Sequence, residues 1–122
     1  GMISAGRPND AEPDRTEHLS LNMESFGIRD RSRAFALRVK GDSMIGRQIF
    51  DGDIVLLEQG ILPQHEDIVA ALIDNESTLK TLVYKDGKTW LRAENPRYHD
   101  LIPMWGLQLQ GVACAVLRLL RK

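Results

Sequence analysis

The sequence predicts a mostly β domain, folded as a compact sheet or partly open barrel. Three observations lead there. From residue 34 onward, apolar residues either alternate with polar ones or gather in runs of strand length. Turn signals such as Asp51-Gly52-Asp53 and Asp86-Gly87 separate those runs at close spacing. The length of 122 residues, with 43% hydrophobic and 27% charged residues, suits one soluble globular domain and not comfortably two.

Residues 1–18 read as a polar arm, and residues 19–122 as the folded domain. Arg7-Pro8-Asn9-Asp10-Ala11-Glu12-Pro13-Asp14-Arg15 carries two prolines, many charges and no periodic apolar face, so it buries too little to fold alone. Leu19-Ser20-Leu21 is expected as a first short strand. Asn22 then caps a single helical turn that ends near Gly27. Phe35, Leu37 and Val39 alternate with Ala36, Arg38 and Lys40, the period of a strand. Ile54 to Leu57 and Ile68 to Ile73 are short apolar runs between turns. Ser77 to Tyr84 is rich in Thr, Val, Leu and Tyr, and Asp86-Gly87 turns it into Thr89-Trp90-Leu91. Glu94-Asn95-Pro96 breaks the chain. Gly111 to Leu120 suits a helix by its Ala, Leu and Arg, but β-branched Val112 and Val116 and the neighbouring strands favour a last strand.

Composition narrows the function. A formal net charge of -1 gives no basic field for nucleic acid. Cys114 is the only cysteine, so no intramolecular disulfide forms and a reducing, cytoplasmic setting fits. No apolar run has transmembrane length, and no charged n-region with an apolar core opens the chain. His18, His65 and His99 lack ligand spacing, so neither metal nor cofactor is expected. Asp51 and Asp53 read as turn residues. Cys114 reads as a packed thiol, and Trp90 and Trp105 as core or interface residues.

Ser43 and Lys80 carry the chemistry. Ser43, in Gly41-Asp42-Ser43-Met44, leaves a strand at a tight turn. Such a turn presents an accessible Oγ and nearby backbone N–H groups, both of which an acyl-transfer nucleophile needs. Gly-Asp-Ser is also ordinary turn composition. Lys80, in Ser77-Thr78-Leu79-Lys80, shares one strand face with Thr78, Leu82 and Tyr84. A lysine in water is a free base only about once in a few thousand at neutral pH. Burial can lower its pKa by up to about 3–5 units, and the neutral amine could then take a proton from a serine.

The ordered set FALRVKGDSM (Phe35 to Met44), DGDIV (Asp51 to Val55), DIVAA (Asp67 to Ala71), TLK (Thr78 to Lys80) and AENP (Ala93 to Pro96) resembles the LexA/UmuD family of Ser-Lys autopeptidases. The match runs from about residue 35 to 118, and more weakly through residues 3–6. The resemblance implies the family's partly open β-barrel, shared with signal peptidases. It implies Ser43 as nucleophile, Lys80 as general base, the Asp42 and Ser43 N–H groups as oxyanion hole and Thr78 as support for the lysine. The scissile bond would be Ala5-Gly6, with residues 7–18 as the tether. It further implies a homodimer, with residues 111–120 either an edge that pairs with a second copy or an ordinary core strand. Cleavage would be stimulated by the RecA filament, and DNA would be bound only through an N-terminal domain that this chain has no room for. The family often has Gly-Asp where this chain has Glu66-Asp67. Three readings remain open: the C-terminal domain of a LexA-like SOS repressor, with a phage repressor as close variant; a UmuD-like translesion polymerase subunit; or a non-catalytic dimerisation domain. A signal peptidase would need a membrane anchor.

Overall fold

A computed structural model describes residues 2–3, 22–98, 101–105 and 108–121. Among these residues the strands are β1 (Met2–Ile3), β2 (Ala34–Arg38), β3 (Ile54–Glu58), β4 (Ile68–Ile73), β5 (Glu76–Lys85), β6 (Lys88–Arg92), β7 (Ile102–Pro103) and β8 (Leu109–Leu117). They form one antiparallel sheet in the order β1-β2-β3-β8-β4-β5-β6-β7, which ends at β1 and β7 rather than closing on itself. The mostly β, partly open fold is the one expected. The arm residues 7–18, the Ala5-Gly6 bond, the proposed strand Leu19–Leu21, His18 and His99 lie outside the described residues.

The expected cap is present. Asn22 Oδ1 accepts from the Glu24 N–H at 3.2 Å, and the 3-10 turn Met23–Phe26 ends at Gly27, whose φ of 83° is left-handed. This turn covers one face of the sheet. Met23 and Ile28 pack there against Ala34, Ala36, Ile54 and Leu56. The opposite face of the same strands holds Phe35, Leu37, Val55 and Leu57, packed with Val39, Met44, Ile49 and Leu79. Period-2 patterning in β2 therefore sorts residues between two buried faces, not between core and water. A third cluster, Val69, Ala71, Leu82, Leu91 and Val112, ties β4, β5, β6 and β8 together.

Turn chemistry sets the hairpins. Asp86 (φ 52°) and Gly87 (φ 75°) join β5 to β6, as expected. Asp74 (φ 51°) and Asn75 (φ 65°) do the same between β4 and β5 with two residues that tolerate the left-handed region. Strand β7 was not anticipated, because two residues carry no period. Trp105 is 70% exposed and lies outside the core, whereas Cys114 is half-buried. Burial pushes the Cys114 thiol up, away from thiolate reactivity.

Of the two readings of the last strand, an edge or an ordinary core strand, the structure matches the second over most of its length. Strand β8 does not edge the sheet; it lies between β3 and β4. From Leu109 to Val112 it pairs with β4, and from Val112 to Leu117 with β3. Only its later half, where Val116 is exposed, leaves one side without a ladder partner among the described residues. No helix among the described residues is long and apolar enough to cross a membrane.

The Asp51-Gly52-Asp53 turn is a fastening point. Buried Asp53 accepts from the Phe50 N–H at 2.8 Å and from Arg118 Nε and Nη2 at 2.8 and 2.7 Å. Arg118 also lies over the Phe50 ring. The Arg118 guanidinium holds the Asp53 carboxyl below the usual range, helped by the Phe50 N–H and opposed by burial. A depressed folded-state pKa contributes stability above the ordinary carboxylate value and loses it as pH falls through the folded value. Asp53→Asn should therefore cost about 1–3 kcal/mol near neutral pH. In urea unfolding, the variant and wild type should converge as pH falls below about 4, where the wild-type carboxylate protonates too.

Candidate active site

Strand β2 delivers the chain to Ser43 through a turn built by its own neighbours. Gly41 takes a left-handed φ of 85°, and its N–H donates to Asp51 Oδ1 at 2.7 Å. The Val39 N–H donates to Asp53 O, and the Gly52 N–H to Val39 O, so the acidic turn clamps the end of β2. Met44 is 2% exposed and packs into the core beside Val39 and Ile49. With that neighbour buried, Ser43 is half-exposed at the rim of the core.

Lys80 comes from β5, paired to Val69 of β4. Its amine is half-buried. Nζ donates to Thr78 Oγ1 at 3.0 Å and to Leu79 O at 3.1 Å, and it lies 3.5 Å from Ser43 Oγ. The first two contacts are good hydrogen bonds; the third is at the outer limit. No carboxylate pairs with the amine among the described residues. Burial alone lowers the Lys80 pKa from the ordinary lysine value. Thr78 is thus brought to the lysine, and the lysine to the serine, across 37 positions of sequence.

Ser43 and Thr78 line a groove of about 380 Å³ between the end of β2, the Ser43 turn and the β4–β5 hairpin, with Leu37, Val39, Met44 and Leu79 as its apolar wall. Strand β1 runs alongside, with Met2 opposite Leu37 and Ile3 opposite Ala36. Its direction leads from Leu37 toward Ala36, away from the Ser43 end of β2.

The turn is also held from behind, by residues that sequence reading treated as a chain break. The Glu94 N–H donates to Ser43 O at 2.7 Å, and the Gly46 N–H donates to Glu94 O at 2.7 Å. Asn95 Nδ2 donates to Asp42 O at 2.8 Å. Thr81 Oγ1 donates to Glu94 Oε2 at 2.6 Å, and Arg92 Nη2 to the same oxygen at 3.0 Å. Burial raises the Glu94 pKa, but the Arg92, Thr81 and Arg47 contacts together outweigh it and hold the carboxyl low. Glu66, the departure from Gly-Asp, takes φ 75° and pairs with Arg92 at 3.0 Å, so it joins this network. The turn bonds engage the carbonyls of Asp42 and Ser43; the N–H groups of both are left without a backbone acceptor among the described residues. His65 accepts from the Tyr84 N–H through Nδ1 and lies 3.3 Å from Glu66 Oε1 through Nε2. Among the described residues no three His, Cys, Asp or Glu side chains group to hold a metal ion.

The family model described as Peptidase S24-like matches residues 1–114. A LexA repressor of Verrucomicrobium spinosum is 47% identical over 118 residues, covering 97% of this chain and 58% of that protein. A LexA repressor of Opitutus terrae is 42% identical over 113 residues, covering 92% of this chain and 56% of that protein. One of Frankia alni is 42% identical over 118 residues, covering 97% and 45%. The chain spans about half the length of the curated relatives it matches.

Lowering a lysine pKa leaves a trace in stability. Between the folded-state pKa and about 10.4, the unfolded chain binds the proton that the folded chain has released, so folding gains stability as pH rises. Below the folded pKa the full desolvation cost remains. In urea unfolding between pH 7 and 10, the stability difference between wild type and Lys80→Met should shift in favour of wild type as pH rises. A difference constant with pH would contradict a desolvated amine.

Proposed function

We propose a function from one premise: the chain belongs to the Peptidase S24-like family. Our reading is the C-terminal autopeptidase and dimerisation part of a LexA-like SOS repressor, cutting its own Ala5-Gly6 bond. The observation that carries it is the Lys80 amine, half-buried, uncompensated by a carboxylate among the described residues and 3.5 Å from Ser43 Oγ. The relatives that bear the name LexA repressor favour this reading over a polymerase subunit or a purely dimerising domain.

The chemistry follows from the groups present. Neutral Lys80 accepts the Ser43 hydroxyl proton as Oγ attacks the Ala5 carbonyl carbon. The tetrahedral oxyanion is stabilised by the Asp42 and Ser43 N–H groups. The C–N bond to Gly6 then breaks, and the Lys80 proton leaves on the Gly6 amine. An ester joins Ser43 to Ala5. Water, deprotonated by Lys80, hydrolyses it and regenerates Ser43. Thr78 keeps the amine aimed through all steps. The small side chains of Ala5 and Gly6 allow the scissile backbone to approach Oγ.

The described start of the arm supports a switch. Residues 2–3 lie on β2 beside the groove, where Leu37 is both ladder partner and groove wall. Because β1 heads away from Ser43, the productive arm path is one that leaves this pairing. A RecA filament would act by favouring that path. Cleavage would part the dimerising module from a DNA-binding module upstream. Two linked half-site contacts would become independent, and operator affinity would fall.

Incubation of the purified chain from pH 7 to 10, followed by intact-mass measurement, tests this reading. Wild type should lose its first five residues, faster as pH rises, with the rate levelling below about pH 10.4 because the Lys80 pKa is lowered. Ser43→Ala and Lys80→Ala should each slow the loss by about 10³-fold or more. Wild type that stays intact for days at alkaline pH, or that cuts at another bond, would sink the proposal.

A further inference from the structure

The peptide unit between Asp42 and Ser43 is planar and trans, so its C=O and N–H point in opposite directions. Whatever holds the Asp42 carbonyl therefore aims the Ser43 N–H. That carbonyl accepts from Asn95 Nδ2 at 2.8 Å, a shorter bond than the 3.4 Å contact from the Ile45 N–H. Asn95 is only 5% exposed, and its orientation is not free. Its Oδ1 accepts from the Arg97 N–H at 3.0 Å, which leaves Nδ2 to face Asp42. The next unit is held in the same way, since Ser43 O accepts from the Glu94 N–H. Gly46 completes the junction: a Cβ there would lie 2.6 Å from Glu94 O, so only glycine permits this approach. Glu94 is in turn bonded to Thr81, which is fully buried and next to Lys80 on β5. The segment behind Ser43 is thus registered to the strand that carries Lys80.

We propose that Asn95 is a positioning residue for self-cleavage: by gripping the Asp42 carbonyl, it fixes the Ser43 N–H as a donor to the oxyanion. The inference rests on the peptidase reading above. It assigns Asn95 no contact with the scissile bond. Its effect falls on stabilisation of the tetrahedral species, not on proton transfer to Lys80, whose own contacts are to Thr78 and Leu79.

Asn95→Asp tests it most directly, because a carboxylate keeps the acceptor for Arg97 and loses the donor to Asp42. Asn95→Ala carries the test should the buried carboxylate keep Asn95→Asp from folding; thermal unfolding reports which variant is sound. In a folded variant, self-cleavage of the full 122-residue chain should slow by roughly 10²-fold, with the pH midpoint of the rate unchanged. Binding of a peptide boronic acid ending in alanine, whose adduct with Ser43 mimics the tetrahedral species, should weaken by a similar factor. Tyr98→Phe, which removes a bond to the Asp42 carboxylate and leaves its carbonyl alone, should cleave at the wild-type rate. A folded Asn95 variant that cleaves like wild type overturns the inference. So does slower cleavage with unaltered boronate affinity, or an equal loss in Tyr98→Phe. Failure of the wild type itself to cleave would instead remove the peptidase reading, so the two failures are distinguishable.

Discussion

A half-buried amine with no carboxylate partner is less stable in its charged form, and among the described residues Lys80 is such an amine. Its neighbours are a hydroxyl, a carbonyl and the Ser43 Oγ. A carboxylate at the same place would stabilise the ammonium and remove the base. Burial lowers the Lys80 pKa, and the groove lined by Ser43 and Thr78 beside it has Leu37, Val39, Met44 and Leu79 as its apolar wall. A flexible wall would let solvent in and return the lysine to its ordinary pKa. The two-faced burial of β2 and β3 supplies that rigidity, because strands packed on both sides have little freedom to part.

Four acidic residues are engaged by partners other than this lysine. Asp51 bonds the Gly41 N–H, Asp53 bonds Arg118, Glu94 bonds Thr81 and Arg92, and Glu58 accepts the Arg29 and Asp30 N–H groups. Each of these bonds is structural, and each engages a carboxylate with a partner other than Nζ. Fold and site are served by the same side chains. The clamp on the end of β2 and the brace behind Ser43 would both be needed for a well-formed turn, whatever chemistry it performed.

Much of the fold was legible because local signals sufficed. Asn22 and Gly27 mark the two ends of one turn, and Asp86-Gly87 is a hairpin in any context. Ser43 and Lys80 stood out only as an ordered set with their neighbours, since each alone is an ordinary turn serine or strand lysine. Other parts left no local trace. The place of β8 inside the sheet depends on which strands flank it, and β7 is too short to have a period. Asn95 was visible only within the chain-breaking Glu94-Asn95-Pro96 and the AENP motif, with no role of its own. Its bond to Asp42 spans 53 positions, and no spacing rule connects a carboxamide to a carbonyl that far away.

Strand β8 follows every other described strand in the chain, yet it lies between the half of the sheet that leads to Ser43 and the half that carries Lys80. Among the described residues those halves share no ladder except through it. During synthesis, Ser43 and Lys80 emerge from the ribosome well before the strand that joins their halves of the sheet. A nascent chain, or one broken off early by truncated translation, would carry both groups without their sheet. Timing is thereby written into the topology: Ser43 and Lys80 belong to halves of the sheet that are laddered together only after the residues of β8 have been made.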